Sequence, residues 1–229
     1  MRIMKTGMIV AVGLLPLAAQ AVVAVEETAP AAKKISLFNG KDFTSWTLHL
    51  SKPNVDPASV WSVRNGLPFC TGTPSGYMRT NEEYSNYKLT FEWRWTGRPG
   101  NNGCLVHMYG KDTVWPKSIE VQLAHENAGD FWVIGGTEFN QHKDKSSGRV
   151  SGRNVKKLEK SNEKPPGQWN KMEIICKGDK IRVYVNGLLQ NEADDCRDDE
   201  GKPLTKGKIC FQSEGAPIEY RNIILEPLK

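Results

Sequence analysis

The sequence is poor in the residues and spacings that announce metal, nucleotide or nucleophile chemistry. Four histidines, His49, His107, His125 and His142, are scattered along 229 residues. No Cys-x-x-Cys pair occurs among the five cysteines, so a structural zinc site is not indicated. A glycine-rich phosphate loop, a His-Glu-x-x-His helix and a Gly-x-Ser-x-Gly elbow are all missing. The net charge of +5 includes Arg2 and Lys5 at the extreme N-terminus. The basic stretch from Lys143 to Lys164 also carries Asp144, Glu159 and Glu163, so it reads as a solvated loop, and no nucleic-acid partner is expected. Past the N-terminus no apolar run is long enough to span a bilayer.

The N-terminus itself has a secretory pattern. Arg2 and Lys5 precede an apolar run from Met8 to Leu17, and Ala19-Gln20-Ala21 supplies small residues for cleavage. Residues 1–21 are therefore expected to be a signal peptide, 22–34 a flexible Ala/Glu/Pro leader, and 35–229 one domain. Export to the periplasm or the outside of a bacterium follows as an expectation, with no span in the mature chain. Export permits disulfides, but five is odd, so at least one of Cys70, Cys104, Cys176, Cys196 and Cys210 is unpaired or pairs between chains.

Helical spacing is also lacking; what is present is period two. Tyr87 to Trp95 alternates Tyr87, Leu89, Phe91, Trp93 and Trp95 against Lys88, Thr90, Glu92 and Arg94, the pattern of a half-buried strand. Cys104–Tyr109, Ser118–Ala124, Phe131–Ile134, Trp169–Cys176, Ile181–Val185, Gly207–Ser213 and Ile218–Pro227 read as further strands. Asn65-Gly66 and Asn186-Gly187 mark hairpin turns. About a dozen short strands with tight turns predict an all-β, two-sheet jelly-roll sandwich. The polar stretch from Gln141 to Gly167 is expected to be a lid, a binding loop or a mobile segment, with Gly152–Leu158 pairing in part as a strand.

Polar side chains gathered on a wet sheet face would form the site. Alternation puts Glu92 with Arg94, Glu120 with Gln122, His107 with Tyr109, and Cys210 with Gln212 and Glu214 on outward faces. Trp115 and Trp132 are aromatic candidates for stacking on sugar rings. Glu120 stands out because Ile119, Val121 and Leu123 surround it, and an apolar setting raises a carboxyl's pKa. No cofactor is expected. For a divalent metal, calcium held by Asp194, Asp195, Asp198 and Asp199 competes with an ordinary solvated acidic turn, which is the reading adopted.

Six stretches together resemble the 3-keto-disaccharide hydrolase family. They are Leu37-Phe38-Asn39-Gly40-Lys41-Asp42-Phe43 through Trp46, Tyr87-Lys88-Leu89 through Arg94, and Gly100-Asn101-Asn102-Gly103. Ser118-Ile119-Glu120-Val121-Gln122, Gln168-Trp169-Asn170 through Val185-Asn186-Gly187, and Phe211-Gln212-Ser213-Glu214-Gly215 through Ile223 complete the set. The resemblance implies a concanavalin A-like lectin/glucanase fold and cleavage of glycosidic bonds in sugars oxidised at C3. Glu214 stands where the family often has histidine, and Asn102 where it has serine. On this reading Glu120 is the general base and His107 or Arg94 steadies the oxyanion. Gln122, Gln212 and Glu92 hold substrate hydroxyls. A non-catalytic carbohydrate-binding module of the same fold is the alternative.

Overall fold

The computed structural model describes residues 33–229. The expected signal peptide, and the leader apart from Lys33 and Lys34, lie outside the described residues. Two antiparallel sheets stack face to face. The first runs in the order Leu188–Ala193, Lys180–Val185, Asn170–Lys177, Tyr87–Trp95, Ile218–Pro227, Leu67–Cys70, Trp61–Arg64, with Ile35–Ser36 also joined to Ile218–Pro227. The second runs Val150–Ser151, Asn154–Val155, Phe131–Ile134, Ser118–Gln122, Gly103–Met108, Lys206–Ser213, Gly76–Thr80, Trp46–Leu50, with Tyr84–Ser85 also joined to Lys206–Ser213. The all-β sandwich is thus as expected. Among the described residues no helix is long and apolar enough to cross a membrane.

Turn chemistry sets the hairpins. Asn65 and Gly66 have φ of 51° and 76°, and Asn186 and Gly187 have 47° and 85°. Two consecutive left-handed residues make the turn whose twist matches paired strands. Arg64 then faces Leu67, and Val185 faces Leu188.

Alternation fills the space between the sheets. Along Tyr87–Trp95 every odd residue is buried and every even one is half-buried. Phe91 and Tyr220 meet Phe211 of the opposing sheet at ring-centroid distances of 4.9 and 4.7 Å. A ring so placed is worth roughly 3–5 kcal/mol against alanine. All five cysteines are buried and unpaired. Burial pushes the thiols of Cys70 and Cys176 up to about 11 and about 12.

The long connection after Phe131–Ile134 is neither structureless nor loose. It holds a one-turn helix, Asn140–Lys143, and the hairpin Val150–Ser151 with Asn154–Val155, which pairs back onto Phe131–Ile134. Beyond it, amide side chains tie the chain to the first sheet. Asn191 Nδ2 donates to the Val155 carbonyl at 3.1 Å, Gln190 Nε2 to Lys160 at 3.2 Å, and Asn162 Nδ2 to Val185 at 2.6 Å. These bonds to backbone carbonyls hold an irregular segment in place.

Candidate active site

The second sheet carries the site on its outer face. In the central row, Trp132, Glu120 and Leu105 lie opposite one another on adjacent strands, with Cys210 opposite Leu105 on the next. In the adjoining row Gln122 faces Gly103. All five residues of Ser118–Gln122 are buried, including those on the outer face, because loops cover them.

Gly103 decides how the polar groups meet. A methyl group at this position would sit 2.3 Å from Gln212 Oε1 and 2.5 Å from Glu120 Oε1. The carboxyl and the amide converge over the glycine because it has no side chain. Glu120 Oε1 and both polar atoms of Gln212 are buried without a hydrogen-bond partner within the protein. Such orphaned atoms are costly unless something else satisfies them.

Glu120 opens into a cavity of about 270 Å³ that it shares with Asn101, Trp115, Trp132, Arg153 and Glu214. Burial raises the Glu120 carboxyl from 4.5 to about 8, and the nearby Glu214 carboxyl adds to the rise, while Gln212 and Arg153 pull the other way. Leu105 and Ile134, beside it on neighbouring strands, belong to an apolar cluster with Tyr77, Met108 and Cys210, which keeps water from the carboxyl. Burial likewise raises Glu214 to about 7, opposed by a hydrogen bond from Asn101. Two carboxyls that both resist ionisation therefore share one hollow, the arrangement that lets a pair hold a single proton near neutrality.

Neighbouring residues fix the walls. Asn102 is fully buried; its Oδ1 accepts from the Glu214 N–H at 2.7 Å and its Nδ2 donates to the Ala216 carbonyl at 2.9 Å. It thereby clips down the turn that presents Glu214. Gln122 Oε1 accepts from the N–H groups of Leu123 and Ala124 at 2.9 and 2.8 Å, which leaves its amino group for the cavity. Trp115 stands 41 % exposed at the rim. Its loop is pinned three residues earlier by Asp112, which accepts from Tyr77 Oη at 2.9 Å and from Arg79 at 2.7 and 2.8 Å. Arg153, from the tip of the Val150–Val155 hairpin, lies with its guanidinium 5.9 Å from the Trp132 ring.

The structure thus brings Glu120, Gln122, Gln212, Glu214, Trp115 and Trp132 together. It separates three other expected site residues from them. Glu92 and Arg94 lie on the outer face of the opposite sheet. Glu92 pairs with Arg221 at 2.6 Å, and Arg94 with Glu219 at 2.9 Å, over the face of Trp169. Alternation correctly turned both outward, but it does not say from which sheet. His107 is inside the core, fully buried, with its ring 5.9 Å from that of Tyr87. The cause is a bulge: Leu105 pairs with Cys210 and Met108 with Lys208, so one extra residue intrudes, and His107 takes φ of 53°. The bulge reverses the face, sending Met108 outward in its place. Gly207 permits it, since a side chain there would meet the His107 backbone at 2.4 Å. Burial lowers His107 to about 4, so it is a neutral core residue at physiological pH.

Arg153, Asn101, Asn102 and Gly103 were passed over as site residues. The glycine-rich loop was the one signal for the last three. Arg153 sits in a polar loop that carries none. In the acidic turn Asp194 is held by Arg182 and Gln141, Asp195 by Arg197, and Asp199 by Lys117 and Tyr109. Asp198 caps the N–H groups of Glu200 and Lys202. Among the described residues no group of three or more His, Cys, Asp or Glu is arranged to hold a metal ion.

Comparison with known proteins bears on the family and the fold. The family model described as 3-keto-alpha-glucoside-1,2-lyase-like domain matches residues 33–226. A Parabacteroides distasonis protein, provisionally described as a glycosyl hydrolase, is similar in structure with a TM-score of 0.60 and 24% identity, covering 86% of this chain and 94% of that one. The Bacillus licheniformis beta-glucanase has a TM-score of 0.54 at 13% identity, with 87% and 99% covered. The carbohydrate-binding module CBM66 from Bacillus subtilis has 0.56 at 12%, with 81% and 98% covered. These likenesses establish the concanavalin A-like architecture. A search of curated proteins finds no match.

Proposed function

We propose, from the premise that the chain belongs to the 3-keto-alpha-glucoside-1,2-lyase-like domain family, that it cleaves the glycosidic bond of 3-keto glycosides at the Glu120–Glu214 dyad. The ketone at C3 acidifies the C2 proton. The ionised member of the dyad takes that proton, and charge passes to the C3 oxygen. The electrons then form the C1–C2 double bond as the C1–O bond breaks, and the protonated member delivers a proton to the departing oxygen. The product is an enone; water adding its oxygen at C1 and a proton at C2 completes net hydrolysis. Arg153 and the Gln122 amino group are the donors in the cavity for the C3 oxygen, a role that preorganised donors in a water-poor site perform well. Trp115 and Trp132 wall the sugar ring. The signal-like N-terminus supports a reaction outside the cytoplasm.

The observation that carries this reading is the pair of carboxyls in one cavity, Glu120 buried and Glu214 half-buried, both raised above the ordinary carboxylate range. A module that only binds sugar needs aromatic platforms and hydrogen bonds, and gains nothing from a buried acid beside a second raised one. The test is product analysis with unmodified and 3-oxidised disaccharides. Release from the oxidised sugars alone supports the reading; release from neither, with binding intact, supports the binding module.

A further inference from the structure

The catalytic cavity continues. Asn101, Gln122 and Trp132 line both it and a second hollow of about 360 Å³, which extends over Asn127, Asp130, Asn154 and Lys156. Asn127, Asp130 and Lys156 in turn line a third, of about 770 Å³, bounded by His125, Glu163 and the chain from Lys157 to Pro166. The three adjoin in one trough that starts on the outer face of the second sheet and runs on between the loop of residues 125–130 and the chain of residues 156–166. The third hollow alone is within the roughly 300–1,000 Å³ that a single small-molecule site occupies, in addition to the catalytic cavity.

The trough is built and not incidental. Asp130 accepts from the Lys157 N–H at 2.9 Å and from Asn154 Nδ2 at 3.3 Å, which fixes floor to wall. Glu163 accepts from the Ala128 N–H at 3.2 Å and faces His125 at 3.5 Å, which holds the far wall against the floor. The charges lining its far part are balanced: Lys156, Lys157, Lys160 and Lys164 are matched by Glu126, Asp130, Glu159 and Glu163. A neutral, hydroxyl-rich chain suits such a surface better than an ionic ligand. The trough is also directional, because Trp115 and Ile134 line the catalytic cavity and none of its continuation.

From this geometry we infer that the substrate is an oligosaccharide longer than a disaccharide. Its terminal, 3-oxidised ring sits at Glu120, and the sugars of the leaving group lie along Asn127, Asp130, Asn154 and Lys156. The inference rests on the proposed function for the identity of the terminal ring, and adds the class and length of what is cut from it. The enzyme would trim one oxidised ring from a chain end.

The experiment compares kcat/KM for 3-oxidised maltose, maltotriose and maltotetraose, with the wild-type protein and with Lys156→Ala and Asn127→Ala. The expected result is a rise of about tenfold from the disaccharide to the longer chains, the change given by roughly 1.4 kcal/mol of added contact. Both variants remove that rise, so that each cleaves all three lengths with the same kcat/KM. Equal kcat/KM for all three lengths overturns the inference. If no oxidised sugar is cleaved, the proposed function fails instead, and calorimetry of unmodified maltose to maltotetraose reads the trough alone. Affinity that tightens with length, and loses this dependence in Lys156→Ala, sustains the trough; affinity without length dependence, or no binding, overturns it.

Discussion

Replacing Glu120 by glutamine should stabilise the protein while abolishing turnover. The folded chain holds the Glu120 carboxyl at about 8, against 4.5 for an ordinary glutamate. Below pH 4.5 both folded and unfolded chains keep the proton, and Glu and Gln are equivalent. As pH rises from 4.5 to 8 the unfolded chain releases a proton that the folded chain retains. Wild-type stability therefore falls through this window and levels off above it. At about 1.4 kcal/mol per pH unit the cost is on the order of 3 kcal/mol at pH 7 and about 5 at most by pH 8. Glutamine keeps the shape and carries no ionisation to suppress. For a domain of this size, the pH 7 figure corresponds to a Tm higher by roughly 6–12 °C in the variant. The assay is thermal unfolding of both proteins from pH 4 to 9. The two Tm curves should meet near pH 4.5 and separate steadily up to pH 8. Curves that stay parallel across that range would refute the buried-acid argument, whatever the variant does to activity.

Gly103→Ala places a methyl group within 2.5 Å of both the Glu120 and Gln212 oxygens, and should cost about 100-fold in kcat/KM, the scale of a 1 Å misplacement; a fold-intact variant with normal turnover would contradict the packing argument. The kcat/KM profile of the wild type should be bell-shaped and centred near neutrality, because raised carboxyls at about 7 and about 8 put the singly protonated dyad there; an optimum near pH 5 would mean two ordinary carboxylates. Arg94→Ala and Glu92→Gln should change kcat/KM by less than about twofold, because their two part-buried ion pairs lie on the opposite sheet and touch no substrate; a large loss would return that face to consideration. A thiol reagent such as dithionitrobenzoate should find no reactive cysteine in the native protein and all five after denaturation, since each is buried and unpaired.

The chain's periodicity reported inward and outward faces well, and the turn pairs at Asn65-Gly66 and Asn186-Gly187 reported the hairpins. Periodicity is a local property, however. Glu92 and Glu120 obey the same alternation, yet only strand order decides that they belong to different sheets, and strand order depends on pairings distant in the chain. His107 failed for a different reason. One inserted residue shifts every later side chain to the other face, and the signal that permits it, the missing Cβ of Gly207, lies a hundred residues away. Glu120 drew notice for its apolar neighbours along the strand, but those point into the core. Its perturbed state comes from Leu105 and Ile134 on adjacent strands and from Glu214, contacts made by the fold. Arg153 was illegible because a charged residue at a loop tip resembles any other until the loop is placed over the site.

The most direct measurement is the fate of the hydrogen at C2. Wild-type protein acting on a 3-keto glucoside in D2O should yield 3-keto glucose with deuterium at C2, because that proton leaves in elimination and returns from solvent. Glu120→Gln and Glu214→Gln should yield neither product nor exchange. Wild-type product that keeps its original hydrogen at C2 would show direct displacement at C1 and contradict the dyad's proposed role.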